Sequence, residues 1–233
     1  MEKLVCLIWR KHSEERAAFN VRLLAELPSA LIAAGATGLR INLEDEIAAR
    51  GAHLRQSRGE AQHDAVVQFW LPSANALFRA DFDDALAAQG ARWCGWVVAE
   101  STIIANTAHP AIPGKRTTGW SQMAFLVRPE RLTHGEWLAA WQDRHTLVAI
   151  ETQSNFEYVQ NLIVRPLAGD CPPYAAAVEE CFPETALTDP LAFFNAAGDP
   201  AKFKVNLDRM MESCDAFIDR GTIDVIPTGQ YTF

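Results

Sequence analysis

The residues best suited to chemistry in this chain lie between Thr133 and Asn161. Trp137, Trp141 and His145 recur at i, i+4 and i+8, with Leu138 and Val148 in the same stripe. At 3.6 residues per turn such a stripe drifts only about 40° per step around a helix. An imidazole therefore stands where an amphipathic helix would ordinarily bury a leucine. With an unperturbed pKa of about 6.5 it can take or give a proton near neutral pH, which suits proton transfer beside a carbonyl. A buried histidine that merely hydrogen-bonds a backbone or strand group would leave the same pattern.

Two further groups could join it. On the strand expected after the helix, alternation places Tyr158 and Gln160 on one face and Val159 and Asn161 on the other. Alternation alone leaves open which face looks toward the helix. Polar tips on a largely apolar wall are the usual composition of a small-molecule pocket, and a core tyrosine with a satisfied hydroxyl reads equally well. Glu179 shares a strand face with Ala175, Ala177 and Cys181. Beside His145 it would form an acid/base couple, the carboxylate fixing the imidazole tautomer; the competing reading is that one of the adjacent Glu179 and Glu180 simply faces water.

These groups need elements to hold them. Thr133 and Glu136 form a T-x-x-E capping box, which starts the helix by satisfying orphan backbone donors. Around that helix the chain reads as two passes of βαββαβ. The first pass has strands at 3–10, 37–43, 65–71 and 92–104, with helices at 13–34 and 74–89. The second has strands at 122–128, 156–165, 174–182 and 222–231, with helices at 133–151 and within 189–220. Leu7-Ile8-Trp9-Arg10 lies against Phe125-Leu126-Val127-Arg128, and 65–72 lies against 176–183 without a gap. A turn-rich stretch with Pro110, Pro113 and Gly114 separates the copies, dividing the chain into units 1–112 and 113–233.

The fold class expected is α+β. Two ferredoxin-like units are fused in tandem, and their antiparallel sheets face each other as an eight-stranded barrel, because facing sheets remove two exposed apolar surfaces at once. The copies are not chemically equivalent. The position aligned with His145 falls near Leu24 or Ala25, Gln68 aligns with Glu179, and Trp70 with Cys181.

Composition excludes several classes. A chain of 233 residues with net charge −8 and no basic stripe is no nucleic-acid binder, and its acidic excess lies beyond residue 116, where 16 acidic side chains face 8 basic. Five cysteines without C-x-x-C spacing suit reduced thiols in a cytoplasm. No apolar run is long enough for a membrane span. There is no G-x-G-x-x-G, phosphate loop or G-x-S-x-G, and the histidines carry no metal-ligand spacing, so no metal site is expected.

The run Glu136-Trp137-Leu138-Ala139-Ala140-Trp141-Gln142-Asp143-Arg144-His145, followed by Tyr158-Val159-Gln160-Asn161, resembles the EthD domain family. Val178-Glu179-Glu180-Cys181-Phe182 is similar to that family's third strand, with Cys181 where a tryptophan is more usual. The likeness covers most of the second unit; the first matches in element order alone. It implies a dimeric α+β barrel, here an internally fused pair that could pair further as a homodimer. Its relatives include cofactor-free monooxygenases, lactone isomerases, dehydratases and haem-binding peroxidases. The resemblance implies His145 and Glu179 as catalytic groups and Trp137, Trp141, Tyr158, Gln160 and Asn161 as the substrate surround. The partner would be a small apolar organic compound, aromatic or polyketide-like. No cofactor is expected; haem, with His145 as its sole axial ligand, is the minor alternative. Oxidation and cofactor-independent proton transfer both remain open, and a non-catalytic module binding a hydrophobic ligand is the reading from another class.

Overall fold

The computed structural model of the chain describes residues 1–59, 61–167 and 170–233. Its strands are β1 (Glu2–Trp9), β2 (Thr37–Leu43), β3 (Ala65–Leu71), β4 (Arg92–Ile104), β5 (Trp120–Leu126), β6 (Glu157–Pro166), β7 (Ala176–Phe182) and β8 (Asp224–Thr232). They close into a barrel in the order β1-β3-β2-β8-β5-β7-β6-β4. Cut between β2 and β8 and between β4 and β6, the barrel separates into two sheets of like internal order, β4-β1-β3-β2 and β8-β5-β7-β6. These are the two ferredoxin-like units.

Closure follows from the length of each unit's last strand. Residues 92–98 of β4 pair with β1, and residues 96–104 pair with β6 of the other unit. In the same way β8 pairs with β5 through 224–228 and with β2 through 229–232. A closed barrel has no unpaired edge, so a second copy of the chain is not needed to complete the sheet.

The helices are α1 (Arg16–Ala33), α2 (Glu46–Ala49), α3 (Ala80–Ala87), α4 (His134–Leu138), α5 (Thr146–Thr152), α6 (Pro190–Phe193) and α7 (Pro200–Asp215). Phe19, Leu23, Leu27 and Leu31 form the buried stripe of α1, packed with Leu4, Cys6 and Ile8 on the outer face of the first sheet. The helix expected at 74–89 is shorter. The Asn75 side chain accepts a hydrogen bond from the Leu77 N–H, giving a 3-10 turn at Ala76–Phe78 before α3 begins. Strands β5 and β7 also stop short of the expected 128 and 174: the Tyr174 N–H donates to the Pro172 carbonyl at 2.8 Å instead of continuing the ladder beyond Leu126 and Ala176.

The expectation of an apolar seam between the sheets holds at one end of the barrel, where Val5, Leu7, Trp96, Val98, Met123 and Phe125 pack together. At the other end the interior is charged. Lys3 donates to Glu100, Gln68 and Asn161, the last two at 3.0 and 2.9 Å, while Arg40 bridges Glu179 at 2.7 Å and Glu157 at 2.8 Å. Among the described residues no helix is long and apolar enough to cross a membrane.

Candidate functional site

The capping box forms as its spacing requires: the Thr133 hydroxyl accepts from the Glu136 N–H, and the Glu136 carboxylate accepts from the Thr133 N–H at 2.9 Å. After α4 the helix does not continue as α. Residues Ala139–His145 wind as a π-helix before α5 resumes, with the Thr146 N–H donating to the Trp141 carbonyl five residues back. Wider winding makes a residue four on fall short of a full turn, the opposite drift to that of an α-helix. The π segment thereby returns His145 toward the line of Trp137 and Trp141. The freed hydroxyl of Thr146 also donates to the Trp141 carbonyl, at 3.3 Å.

This helix and α7 cover the outer face of the second sheet. Trp137 and Trp141 are buried there with Tyr158, Ala176, Val178 and Phe217. Between helices and sheet lies a cavity of about 200 Å3, lined among others by Trp141, His145, Gln153, Tyr158 and Glu180. One wall comes from the first unit: Gln56 exchanges two backbone hydrogen bonds with Val225 on β8, each of 3.0 Å. The cavity is thus assembled from both halves of the chain.

His145 is partly buried at its rim. Its Nδ1 lies 2.9 Å from Ser213 Oγ on α7 and its ring packs against Phe217, centroids 4.7 Å apart. Burial pushes the imidazole down to about 4, so it is neutral at neutral pH. Gln160 donates from Nε2 to the Tyr158 hydroxyl and to Thr146 Oγ1, both at 2.8 Å, which ties β6 to the end of the π segment. Tyr158 and Gln160 therefore occupy the helix-facing side of β6. Burial raises the Tyr158 phenol, and its hydroxyl stays protonated.

Glu180 is the group that strand alternation turns into this cavity. It is 7 % exposed, so neither of the two adjacent glutamates faces water. Asn155 Nδ2 donates to its Oε1 at 3.0 Å and Gln122 Nε2 to its Oε2 at 3.3 Å. Burial pushes its carboxyl up to about 7, the two amide bonds only partly opposing that, and no cation is among its partners. A carboxyl balanced between its two protonation states in a mostly apolar cavity is suited to accept and return a proton.

Glu179 requires a correction. It points the other way, into the barrel, fully buried, and cannot serve as the carboxylate partner of His145 on the opposite sheet face. Its oxygens accept from Arg40, Asn42, Gln68, Ser121 and Gln230 at 2.6 to 3.0 Å. Burial opposes its ionisation, but the Arg40 charge and these donors outweigh it and hold the carboxyl well below its usual range. Gln68, which the repeat aligns with Glu179, meets it across the barrel at 2.8 Å. Asn161 also faces the barrel, where its Oδ1 accepts from Lys3. Trp137 lies in the core beneath the helix, outside the cavity lining.

The sequence carried one overlooked signal for Glu180: a carboxylate in the alternating row Ala176, Val178, Glu180, Phe182, all otherwise apolar. Nothing local marks Gln56, Gln122 or Gln153, which reach the cavity from distant segments. A haem does not fit these residues. The cavity is below the roughly 300–1,000 Å3 of a drug-sized cleft, its described lining carries no Lys or Arg to meet propionates, and Glu180 would face them.

No protein-family model and no curated protein matches the sequence. Solved structures do match over the full length. An anthrone oxidase-like protein is 10% identical with a TM-score of 0.53, the match covering 99% of this chain and 92% of that one. A candidate monooxygenase from Lactobacillus acidophilus NCFM is 13% identical with a TM-score of 0.51, covering 100% and 97%. At such identities the likeness speaks for the fold, and by fold this chain is a dimeric α+β barrel made from a single polypeptide.

Proposed function

We propose that this chain is a small-molecule enzyme of EthD-like type, an oxidoreductase or cofactor-independent proton-transfer catalyst, acting on an apolar ring compound bound between the helices and the sheet of the second unit, residues 113–233. The first unit, residues 1–112, would serve as the degenerate half that closes the barrel. The observation that carries the reading is a partly open, mostly apolar cavity holding one carboxyl near pH 7, Glu180, and a neutral imidazole, His145. A benzene-sized guest needs about 150 Å3, so some 200 Å3 suits one or two rings.

In this reading Glu180 and His145 handle the proton. When Nδ1–H donates to Ser213 Oγ, the imidazole lone pair sits at Nε2. Removing a proton from carbon beside a carbonyl, or from a phenol, would leave an electron-rich anion. In the oxidative version molecular oxygen takes its electrons, and the names of the two structural neighbours favour that version. Trp141, Tyr158 and Phe194 would hold the ring flat and keep water out.

The test is turnover. Oxygen uptake and product formation would be followed over a panel of hydroxyarenes and cyclic ketones for the wild type, His145→Ala and Glu180→Gln. Loss of kcat of about 100-fold or more in either variant is expected for acid/base groups. Undiminished turnover in both, or tight binding without turnover by the wild type, would leave the non-catalytic ligand-binding module as the better account. One observation already favours that module: at neutral pH the depressed imidazole is a weak base.

A further inference from the structure

Beyond the presence of a cavity, one acceptor in its wall has no donor. Gln153, at the end of α5, is 7 % exposed and lines the cavity, and its Oε1 is buried without a hydrogen-bond partner. An orphan acceptor of this kind costs about 1–3 kcal/mol unless something donates to it. Its neighbours do not. The Tyr158 hydroxyl oxygen accepts from Gln160, and Asn155 and Gln122 each give an N–H to Glu180. When ionised, Glu180 adds further acceptor lone pairs, since each of its oxygens receives one amide N–H but can accept two bonds. The described lining has no Lys or Arg. Apart from Gln56 and His145 the remaining wall is largely aromatic and aliphatic, with Trp141, Phe193, Phe194 and Phe217 among its members.

We infer that the cavity selects a neutral hydroxylated aromatic of one or two rings, whose hydroxyl donates to Gln153 Oε1, and rejects the corresponding carboxylate. This rests on the site proposed above and names its ligand class. A hydroxyl supplies the donor that Gln153 Oε1 lacks. A carboxylate would bring a second unpaired charge beside Glu180 into a medium with no cation to meet it. An ether or ketone of the same shape would set acceptor against acceptor. Gln153 is a positioning residue here, and its contribution is to orientation and selectivity.

The experiment is calorimetric titration of the full chain at neutral pH with 2-naphthol, 2-methoxynaphthalene and 2-naphthoate. The naphthol should bind about tenfold or more tightly than the ether, as one satisfied buried acceptor allows, and the naphthoate should show no saturable binding. In Gln153→Leu the preference of naphthol over ether should vanish, and in Gln153→Glu, which keeps acceptor oxygens, it should persist. Should the leucine variant not fold, the three-ligand comparison on the wild type decides alone. An ether that binds as tightly as the naphthol, a naphthoate that binds better, or no binding by any of the three overturns the inference. An amide turned the other way, offering N–H to the cavity, would give the first of these results. Naphthol binding without turnover of any hydroxyarene would refute the enzymatic reading and leave this one standing.

Discussion

Replacing Glu180 by glutamine tests the electrostatics of the cavity without a substrate. Burial pushes this carboxyl from 4.5 up to about 7. Below pH 4.5 the folded and unfolded chains both carry the proton. Between 4.5 and about 7 the folded chain keeps a proton that the unfolded chain has released, so stability falls as pH rises through this window. Above it both are ionised, and the folded state bears the whole cost of a charge with no cation beside it. At about 1.36 kcal/mol per pH unit, that cost is on the order of 3 kcal/mol. Glutamine keeps one acceptor for Asn155, and Gln122 can turn its amide to receive the new N–H. The variant and the wild type should therefore be equally stable near pH 4.5. By about pH 8.5 the variant should lead by on the order of 2–3 kcal/mol, or roughly 4–12 °C in Tm for a chain of this length. His145 titrates in the opposite sense: with its folded value about 4 against 6.5 unfolded, its contribution is complete above 6.5 and is lost as pH falls toward 4. Being common to both proteins, it drops out of the difference. Urea unfolding of the pair at four pH values between 4.5 and 8.5 measures this directly. A difference that does not grow with pH, or a wild type that leads at pH 8.5, would show that Glu180 is neither dry nor unpaired.

Three other perturbations probe the frame around the site. Arg40→Met leaves Glu179 buried with its charge uncompensated, and unfolding should show a loss of about 3–5 kcal/mol near neutral pH; a loss under about 1 kcal/mol would mean that water reaches the barrel interior. Because Glu179 is held low, the wild type's share from this group is complete above pH 4.5 and disappears in acid, so the gap should narrow as pH falls. Thr133→Ala removes the hydroxyl half of the capping box and should cost about 1 kcal/mol, read as a small fall in the urea midpoint; no change would mean that α4 needs no cap. Cys171 should be alkylated first by iodoacetamide at pH 7.5, mapped by mass spectrometry. A hydrogen bond with the Cys94 thiol, its largest influence, holds it down to about 7, whereas burial raises Cys6, Cys181 and Cys214. Earlier labelling of Cys214 would contradict that order.

Much of the architecture was legible because it rests on local pattern. The strands at 37–43, 65–71 and 92–104 have the expected bounds, since alternation and flanking turn residues act over a few positions. The capping box is likewise a matter of four neighbouring residues. The repeat then sets the topology, because two copies of βαββαβ can shield both sheets most simply by facing them. The first element misread, 74–89, failed on a local competitor: Asn75 offers its own side chain to the backbone and delays the helix.

The site was only half legible for a different reason. Side chains two apart on a strand share a face, so Glu179 and Glu180 had to point oppositely, one of them toward the helix-covered face of the sheet. Choosing between them requires knowing which face of β7 meets the helix, and that is set by barrel closure, through pairings of β7 with β5 and β6 far away along the chain. The π turn at Ala139–His145, the arrival of Gln56 from the other unit and the orphan oxygen of Gln153 depend on contacts that no short window contains. Local periodicity was enough to call the strands, the cap and the paired units. The direction of each buried carboxyl, and so its charge state, came from the packing, because desolvation and the distance to Arg40 are properties of the closed barrel.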